Sequence, residues 1–427
     1  MMNWTPELRD FIQAHINDDT AELLLAARRY ANVDVPFAVE QIEARRRLKG
    51  KLPEWYTNPE LIMGGRVPAE QCSSELTARY KQGIVEGLRS LCDMTGGMGV
   101  DFWYMSEGME RAIYTERNEE LCEVARHNFQ ALKGRNSSGE PTGTNLDEGG
   151  LADTSIEIRC GDGRKLPIPS VDVIYLDPAR RAGDGSRVYA MEDCEPNIVE
   201  WQDELLKHAK MVLVKLSPMV DLTDVLRKLK GVTDVHVVGV KNECKEVLVK
   251  QAPQPPKGEG IRSGNENVQI HCVDFLTDNR KVEYTFSLSD NVHCVSPFPF
   301  GVRGLLYEPD VTLMKAGAFG SLCERYPVWQ LDYDTHLMTS DEWIPDFPGR
   351  VFEVEERIPF SSKVLKRLKK EMPQANIATR NFVMTADELR RRTGIKDGGE
   401  VYLFGVKVKD EGQMLLKCRK KVVPSHP

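Results

Sequence analysis

A chain of 427 residues is too long for one ordinary hydrophobic core, so two or three domains are expected. Hydrophobic residues make up 41%, charged residues 29%, and the net charge is −8, as in a soluble globular protein; no window approaches twenty consecutive apolar residues, which excludes a membrane-spanning helix. The start, MMNWTPELRDF, has no basic stretch leading into an apolar one, so no secretory signal is expected. Ten cysteines stand singly, none in C-x-x-C or another metal spacing, and the eight histidines do not cluster with them. This pattern predicts reduced thiols, a cytoplasmic location and no metal centre.

Three helices open the chain. Thr5-Pro6 and Asp19 are helix starts, and Val35-Pro36 begins FAVEQIEARRRLKG, closed by Gly50. A turn-rich stretch with Trp55, Tyr56 and Gly64-Gly65 follows, then Ser73–Lys81, a capped helix just ahead of the first strand.

Residues 91–101, LCDMTGGMGVD, carry the strongest functional signal. A short apolar strand ends in Asp93, and Gly96, Gly97 and Gly99 then turn the chain into a helix, letting the backbone approach a ligand closely. The G-x-G-x-x-G of a dinucleotide loop is missing its third glycine, and no G-x-x-x-x-G-K-[ST] phosphate loop is present. An acidic residue before the glycines suits a ligand with a cationic amino-acid end, as in S-adenosylmethionine (SAM). Ala112–Thr115 is a second strand ending in Glu116, where a carboxylate could hold a ribose diol. Alternatively, Glu116 is a surface acid opening the next helix. The polar segment 134–150 is a surface insertion. A third strand, Ile156–Cys160, ends in Gly161-Asp162-Gly163, where the carboxylate could accept from an adenine amine. Val171–Leu176 is a continuous apolar run, expected to be buried on both faces, and it leads into Asp177-Pro178-Ala179-Arg180-Arg181. An acid-Pro turn at the carboxyl end of a central strand faces the ligand crevice of an open α/β sheet.

Met211–Leu216 is a fifth strand, Asp221–Lys230 a helix stopped by Gly231, and Asp234–Val240 with Lys245–Lys250 a hairpin turning at Asn242-Glu243. Alternating strands and helices ending in a hairpin resemble the class I SAM-dependent methyltransferase fold over about residues 70–250. The resemblance implies a Rossmann-like α/β sheet, SAM as cofactor, and Asp93, Thr95, Gly96, Gly97, Gly99, Glu116, Asp162 and Asp177 as the residues that hold it. It also implies that the segment before the glycine loop touches the methionine end of the cofactor, although an ordinary capped helix reads equally well there.

QAPQPPKGEGIRSGNEN (251–267) is a Pro/Gly-rich linker. Beyond it, Val268–Leu276 and Val282–Leu288 form a strand pair joined through Asp278-Asn279, and a helical stretch runs from Pro309 through Leu322. Val351–Glu355, Ser361–Glu371, Asn376–Phe382, Thr385–Thr393, Val401–Lys409 and Met414–Arg419 then alternate as β-α-β-α-β-β. This order, with DFPGRVF (346–352), NIATRNF (376–382) and KDGGEVYLF (396–404), resembles a bacterial family that joins a methyltransferase core to a THUMP-like RNA-binding C-terminus. The expected organisation is an N-terminal helical region (1–70), a methyltransferase domain (71–250), the linker, a small ferredoxin-like α+β subdomain (268–345) and a THUMP-like domain (346–427).

Charge agrees with an RNA partner. Between Ser361 and Pro427 sixteen Lys and Arg face seven Asp and Glu, a net of +9 in a chain of −8. Candidates for phosphate contact are Lys363, Lys366, Arg367, Lys369 and Lys370 on one helix, Arg380 on a strand, and Arg390, Arg391 and Arg392; the 363–370 run reads as well as a solvated helix face. The leading expectation is a SAM-dependent methyltransferase acting on a tRNA or rRNA base. Asp177 would accept a proton or hydrogen bond from the attacking nitrogen and Pro178 would shape the turn. Arg180 and Arg181 would hold phosphate or a flipped nucleotide. D-P-A-R-R lacks the aromatic residue of N-P-P-[YFW], which argues against exocyclic-amine methylation. The alternatives are an RNA-binding scaffold with a non-catalytic core, or a methyltransferase of small molecules or proteins. Oligomeric state is not legible.

Overall fold

The computed structural model describes residues 4–133, 154–180, 191–253, 268–277, 280–293 and 301–421. The chain divides into two compact units, the first of Met1–Val232 with Leu248–Lys257, the second of Thr233–Val247 with Gly258–Pro427.

The first unit opens with α1 (Pro6–Ala14), α2 (Thr20–Leu25) and α3 (Val35–Leu48), capped by the side chains of Thr5, Asp19 and Asp34. Leu8, Phe11, Ile12, Leu23, Ala38, Val39 and Ile42 close one apolar cluster between them. The turn-rich stretch then forms α4 (Pro53–Thr57) and α5 (Arg66–Gln71). It is organised by the buried Arg45, whose guanidinium donates to the carbonyls of Tyr56, Asn58, Pro59 and Leu61. After α6 (Glu75–Ile84), capped by Ser74, strands and helices alternate. These are β1 (Ser90–Asp93), α7 (Val100–Ser106), β2 (Arg111–Glu116), α8 (Glu119–Lys133), β3 (Ser155–Cys160) and β4 (Val171–Leu176). The short pair β5 (Ala179–Arg180) and β6 (Cys194–Glu195) precedes α9 (Ile198–His208), β7 (Ala209–Leu216) and α10 (Leu222–Lys228). The sheet runs β7-β4-β1-β2-β3, all parallel. Every residue of β4 is buried, as its unbroken apolar run requires. Asp93 pairs in register with both Tyr114 and Tyr175, so β1, β2 and β4 end together and their loops open on one edge.

The hairpin β8 (Val232–Val240) and β9 (Glu243–Gln251) turns at Lys241-Asn242, one residue earlier than expected. Both turn residues have φ near +60°, the conformation that a two-residue hairpin loop demands. The sheet order continues from β7 to β9 and then β8, the inserted-hairpin topology expected from the sequence.

In the second unit β8 pairs in parallel with β10 (Gln269–Phe275), which pairs antiparallel with β11 (Lys281–Ser287), followed by α11 (Leu288–His293). Beyond β12 (Leu305–Pro309), the single helix expected over 309–322 is two, α12 (Val311–Ala316) and α13 (Phe319–Arg325). They are split where Gly317 takes a left-handed conformation at φ +66°. The chain continues through β13 (Trp329–Gln330), β14 (Met338–Ser340), β15 (Gly349–Pro359), α14 (Ser362–Glu371), β16 (Asn376–Arg380), α15 (Ala386–Thr393), β17 (Val401–Val408) and β18 (Gly412–Lys420). Seven strands form one sheet, β13-β14-β12-β15-β18-β17-β16. Within the 268–345 stretch, β10 pairs with β8 and β11 with β10, while β12 to β14 lie in the sheet of the C-terminal strands. Alternation sorts the core: Leu403 and Leu415 face α14 and α15, and their neighbours Phe404 and Leu416 face the other side.

Candidate functional site

The glycine loop after β1 is pinned between two strand ends: Met94 N donates to Tyr175 O at 3.0 Å and Gly96 N to Thr115 O at 2.8 Å. At Gly96 a Cβ would lie 2.1 Å from the buried Tyr114 ring, so no other residue fits. Gly99 starts α7 at φ +78°. Gly97 N donates to Glu116 Oε2 at 2.8 Å, and the Tyr114 hydroxyl donates to Gly97 O at 2.5 Å. A Cβ on Gly97 would meet nothing nearer than Thr95 O at 3.8 Å, so the space above the loop is open. Glu116 Oε1 accepts from Asn118 N at 2.8 Å. Each of its oxygens thus accepts one backbone N–H and keeps a lone pair for a further donor.

Asp93 Oδ1 accepts from Thr95 N at 2.8 Å, and Thr95 Oγ1 in turn accepts from Asp177 N at 2.7 Å, latching the first loop to the Asp-Pro turn. Burial, helped by the nearby Asp101, Asp177 and Glu116, pushes the Asp93 carboxyl well above the usual carboxylate range. Pro178 is buried and the Asp177 side chain is 39% exposed.

Asp177 also has a partner that the sequence did not announce. Lys215, near the end of β7, places Nζ 2.6 Å from Asp177 Oδ2, 3.1 Å from Ser73 Oγ and 3.6 Å from Asp101 Oδ2. Asp101 Oδ2 accepts from the hydroxyls of Ser73 (2.8 Å) and Tyr175 (2.7 Å), and its Oδ1 lies 3.1 Å from the fully buried Lys81 ammonium. Burial alone would raise the Asp101 pKa, but Lys81, Lys215 and the two hydroxyls outweigh it and hold it well below its ordinary value. Ser73, just ahead of the N-cap Ser74, and Lys81 of α6 thus join an alternating charge chain. The available signals were a lysine inside the apolar VLVKL and an aspartate inside VDFWYM.

Asp162 lies in a turn whose Gly163 abuts the first loop; a Cβ there would come 3.0 Å from Met94 O. Its carboxylate is engaged by Arg164 through N (3.1 Å), Nε (3.0 Å) and Nη2 (2.7 Å), which lowers its pKa to about 2. Arg164 also reaches Glu195 at 2.8 Å. Arg181 and the side chain of Arg180 lie outside the described residues. Burial pushes the Cys92 thiol up to about 12, so it is no ready nucleophile.

The expected RNA contacts of the second unit fall into two groups. Arg380 Nη2 is 3.0 Å from Glu308, a carboxylate only 2% exposed that Arg350 also binds. Arg390 bridges Asp387 (2.9 Å) and Asp397 (2.8 Å), and Arg367 pairs with Glu371 at 2.9 Å. Lys363, Lys366, Lys370, Arg391 and Arg392 are exposed, with no carboxylate in ion-pair range among the described residues.

A crystal structure from Porphyromonas gingivalis W83, assigned to the methyltransferases, is 34% identical in sequence and superimposes with a TM-score of 0.82, covering 97% of this chain and 98% of the other. The chain belongs to the SAM-dependent methyltransferases of this family. An uncharacterized SAM-dependent methyltransferase of Mycobacterium tuberculosis is 24% identical over 375 residues, 84% of this chain and 89% of the relative. A THUMP domain-like family model matches residues 349–420 and a ferredoxin-like domain model residues 305–348. The observed geometry fits the cofactor of such methyltransferases. The open ground over Gly97 would take the cofactor, the spare lone pairs of Glu116 suit a ribose diol, and the carboxyl group of Asp93 suits a ligand bearing an ammonium. No described helix of this methyltransferase is long and apolar enough to cross a membrane.

Proposed function

We propose that this methyltransferase is cytoplasmic and modifies a tRNA or rRNA base, with Asp93, Thr95, Gly96, Gly97, Gly99, Glu116 and Asp162 holding SAM and Asp177 receiving the acceptor. The observation that carries the RNA reading is a methyltransferase site joined in one chain to a THUMP-like module whose α14 and α15 leave five cations exposed and unpaired among the described residues. SAM supplies a methyl group already activated on sulfonium, so the protein's task is to orient the acceptor and exclude water.

Asp177 suits that task. Its backbone is fixed by Thr95, one carboxylate oxygen is held by Lys215, and the side chain remains open to solvent. It can accept a hydrogen bond, or a proton, from a base nitrogen while the ammonium beside it steadies its charge. Pro178 shapes the turn, and Arg180 and Arg181 would serve to hold a phosphate or a flipped nucleotide. Because the turn carries no aromatic residue to stack on a base, a ring nitrogen suits it better than an exocyclic amine. The bounds proposed for the two functional modules are 71–250 and 346–427.

Mass spectrometry of nucleosides from a deletion strain tests the reading. One methylated nucleoside is expected to vanish from tRNA or rRNA and to return when purified protein and SAM are added to that RNA. Unchanged RNA, with methyl transfer to protein or small molecules instead, overturns it.

A further inference from the structure

Within the second unit, β8 and β10 bring together three metal-ligating side chains that stand far apart in sequence. Asp234 and His236 are two residues apart on β8, hence on one face of the strand. The parallel register sets His271 of β10 directly beside His236 and Gln269 beside Asp234. One ligand atom from each of Asp234, His236 and His271 lies within 4.8 Å of the other two. The imidazoles stack, with centroids 4.4 Å apart and planes 12° from parallel. His271 Nε2 is 3.2 Å from Asp234 Oδ1, and its Nδ1 is 3.1 Å from Thr285 Oγ1 on β11.

We propose that Asp234, His236 and His271 form a binding site for a divalent transition-metal ion of the zinc class, a site separate from the methyltransferase chemistry. Two imidazoles and one carboxylate suit zinc and its neighbours, whereas magnesium and calcium prefer all-oxygen sites. Tetrahedral binding at about 2.0–2.2 Å needs ligand atoms roughly 3.3 Å apart; His271 and Asp234 already meet that spacing at 3.2 Å, and the remaining adjustment is a side-chain rotation. A metal ion binds imidazole through a ring nitrogen lone pair, and the close stacking of the two rings brings two such nitrogens to one place. Thr285 fixes the other ring nitrogen of His271, the partner that metal-bound histidines ordinarily have. The histidine ring of His236 is nearly buried, but Asp234 and His271 keep 18% and 20% of their side chains exposed, which gives the ion a way in. With three protein ligands the fourth position falls to water. Such a site would clip β8 to β10, so metal should stabilise the folded chain.

The test uses the full chain, stripped with a chelator and titrated with zinc by calorimetry and with cobalt by visible absorption. The expected result is one ion per chain, a cobalt spectrum of nitrogen and oxygen ligands, and a rise in Tm with zinc. His271→Gln and Asp234→Asn should each weaken binding at least about tenfold, and Thr285→Val should weaken it less than either. Should His236→Gln fail to fold, the other two variants decide the matter alone, because both positions are partly exposed. Absence of binding at millimolar zinc, a thiolate spectrum from the cysteines, or undiminished affinity in His271→Gln and Asp234→Asn overturns the proposal.

Discussion

The two units use charged side chains in opposite ways. Around the glycine loop Lys81 and Asp101 are buried, Lys215 keeps 13% of its side chain exposed, and each is held by several partners, so removing Asp101 strands its lysines in a low dielectric. On α14 and α15 of the second unit, Lys363, Lys366, Lys370, Arg391 and Arg392 stand in water without ion pairs among the described residues. Buried pairs of the first kind fix geometry within a few ångströms, whereas exposed cations act at longer range, through a field that salt screens. Sequence charge counts cannot separate the kinds, because the second unit holds both: Arg380 and Arg390 belong with the committed charges.

The sharpest break in this comparison is at Asp177, which is held like the first kind but exposed like the second. Asp177→Ala is expected to cut methyl transfer by about 10²–10⁴ while SAM affinity stays within a few-fold, since a positioned proton acceptor contributes on that scale. Single-turnover transfer and calorimetry read the two separately; turnover near wild type would reduce Asp177 to a strand-end carboxylate.

Asp101→Ala should instead act on stability, by about 3–5 kcal/mol, because it leaves the Lys81 and Lys215 ammonium groups without their shared buried carboxylate. The pH dependence has a definite sign. The folded pKa of Asp101 is held below its unfolded value near 4, so its contribution is present above that value and is lost as pH falls toward the folded pKa. Wild type should lose Tm steeply in that acid window, and the variant less so. Asp93 runs the other way: its raised pKa contributes stability at low pH that is lost as pH rises through it. Asp93→Asn should therefore flatten the decline of Tm from about pH 4 upward, while weakening SAM binding.

What the sequence made legible follows from the range of the forces involved. The glycine loop, the strand-end acids and the Asp-Pro turn are local devices, since each is a backbone geometry written in consecutive residues. The order of strands followed from hydrophobic period and turn chemistry. Lys215 was missed because its meaning is tertiary: a lysine in an apolar strand reads as an edge residue until Asp177, 38 positions away, is set beside it. Arg380 shows the same limit, since its partner Glu308 lies 72 positions upstream. His236 and His271 show the limit once more: neither spacing nor clustering along the chain signals a trio that only parallel pairing assembles.

Arg380→Ala checks the division inside the second unit. Glu308 keeps Arg350, so the loss should be moderate, about 1–2 kcal/mol for one half-buried charge-assisted hydrogen bond, with RNA affinity nearly unchanged. Thermal unfolding and filter binding read the two effects, and an intact Tm with lost RNA binding would move Arg380 to the exposed group.

The smallest free-energy change is expected at Arg391 and Arg392, and its diagnostic is its dependence on salt. Both are exposed, so Arg391→Glu with Arg392→Glu should leave Tm and SAM affinity as they are. If each contacts one phosphate of a single-stranded segment, losing both should flatten the plot of log K against log salt by about 1.4, at roughly 0.7 per contact. The affinity difference from wild type should then be largest at low salt and shrink as salt rises, because the missing contacts are those that salt erodes. An affinity loss that is constant across salt would point to altered shape of α15 instead of lost phosphate contacts. No loss at any salt would leave α14, with Lys363, Lys366 and Lys370, as the remaining phosphate-facing surface, and the same titration on charge reversals there would decide it.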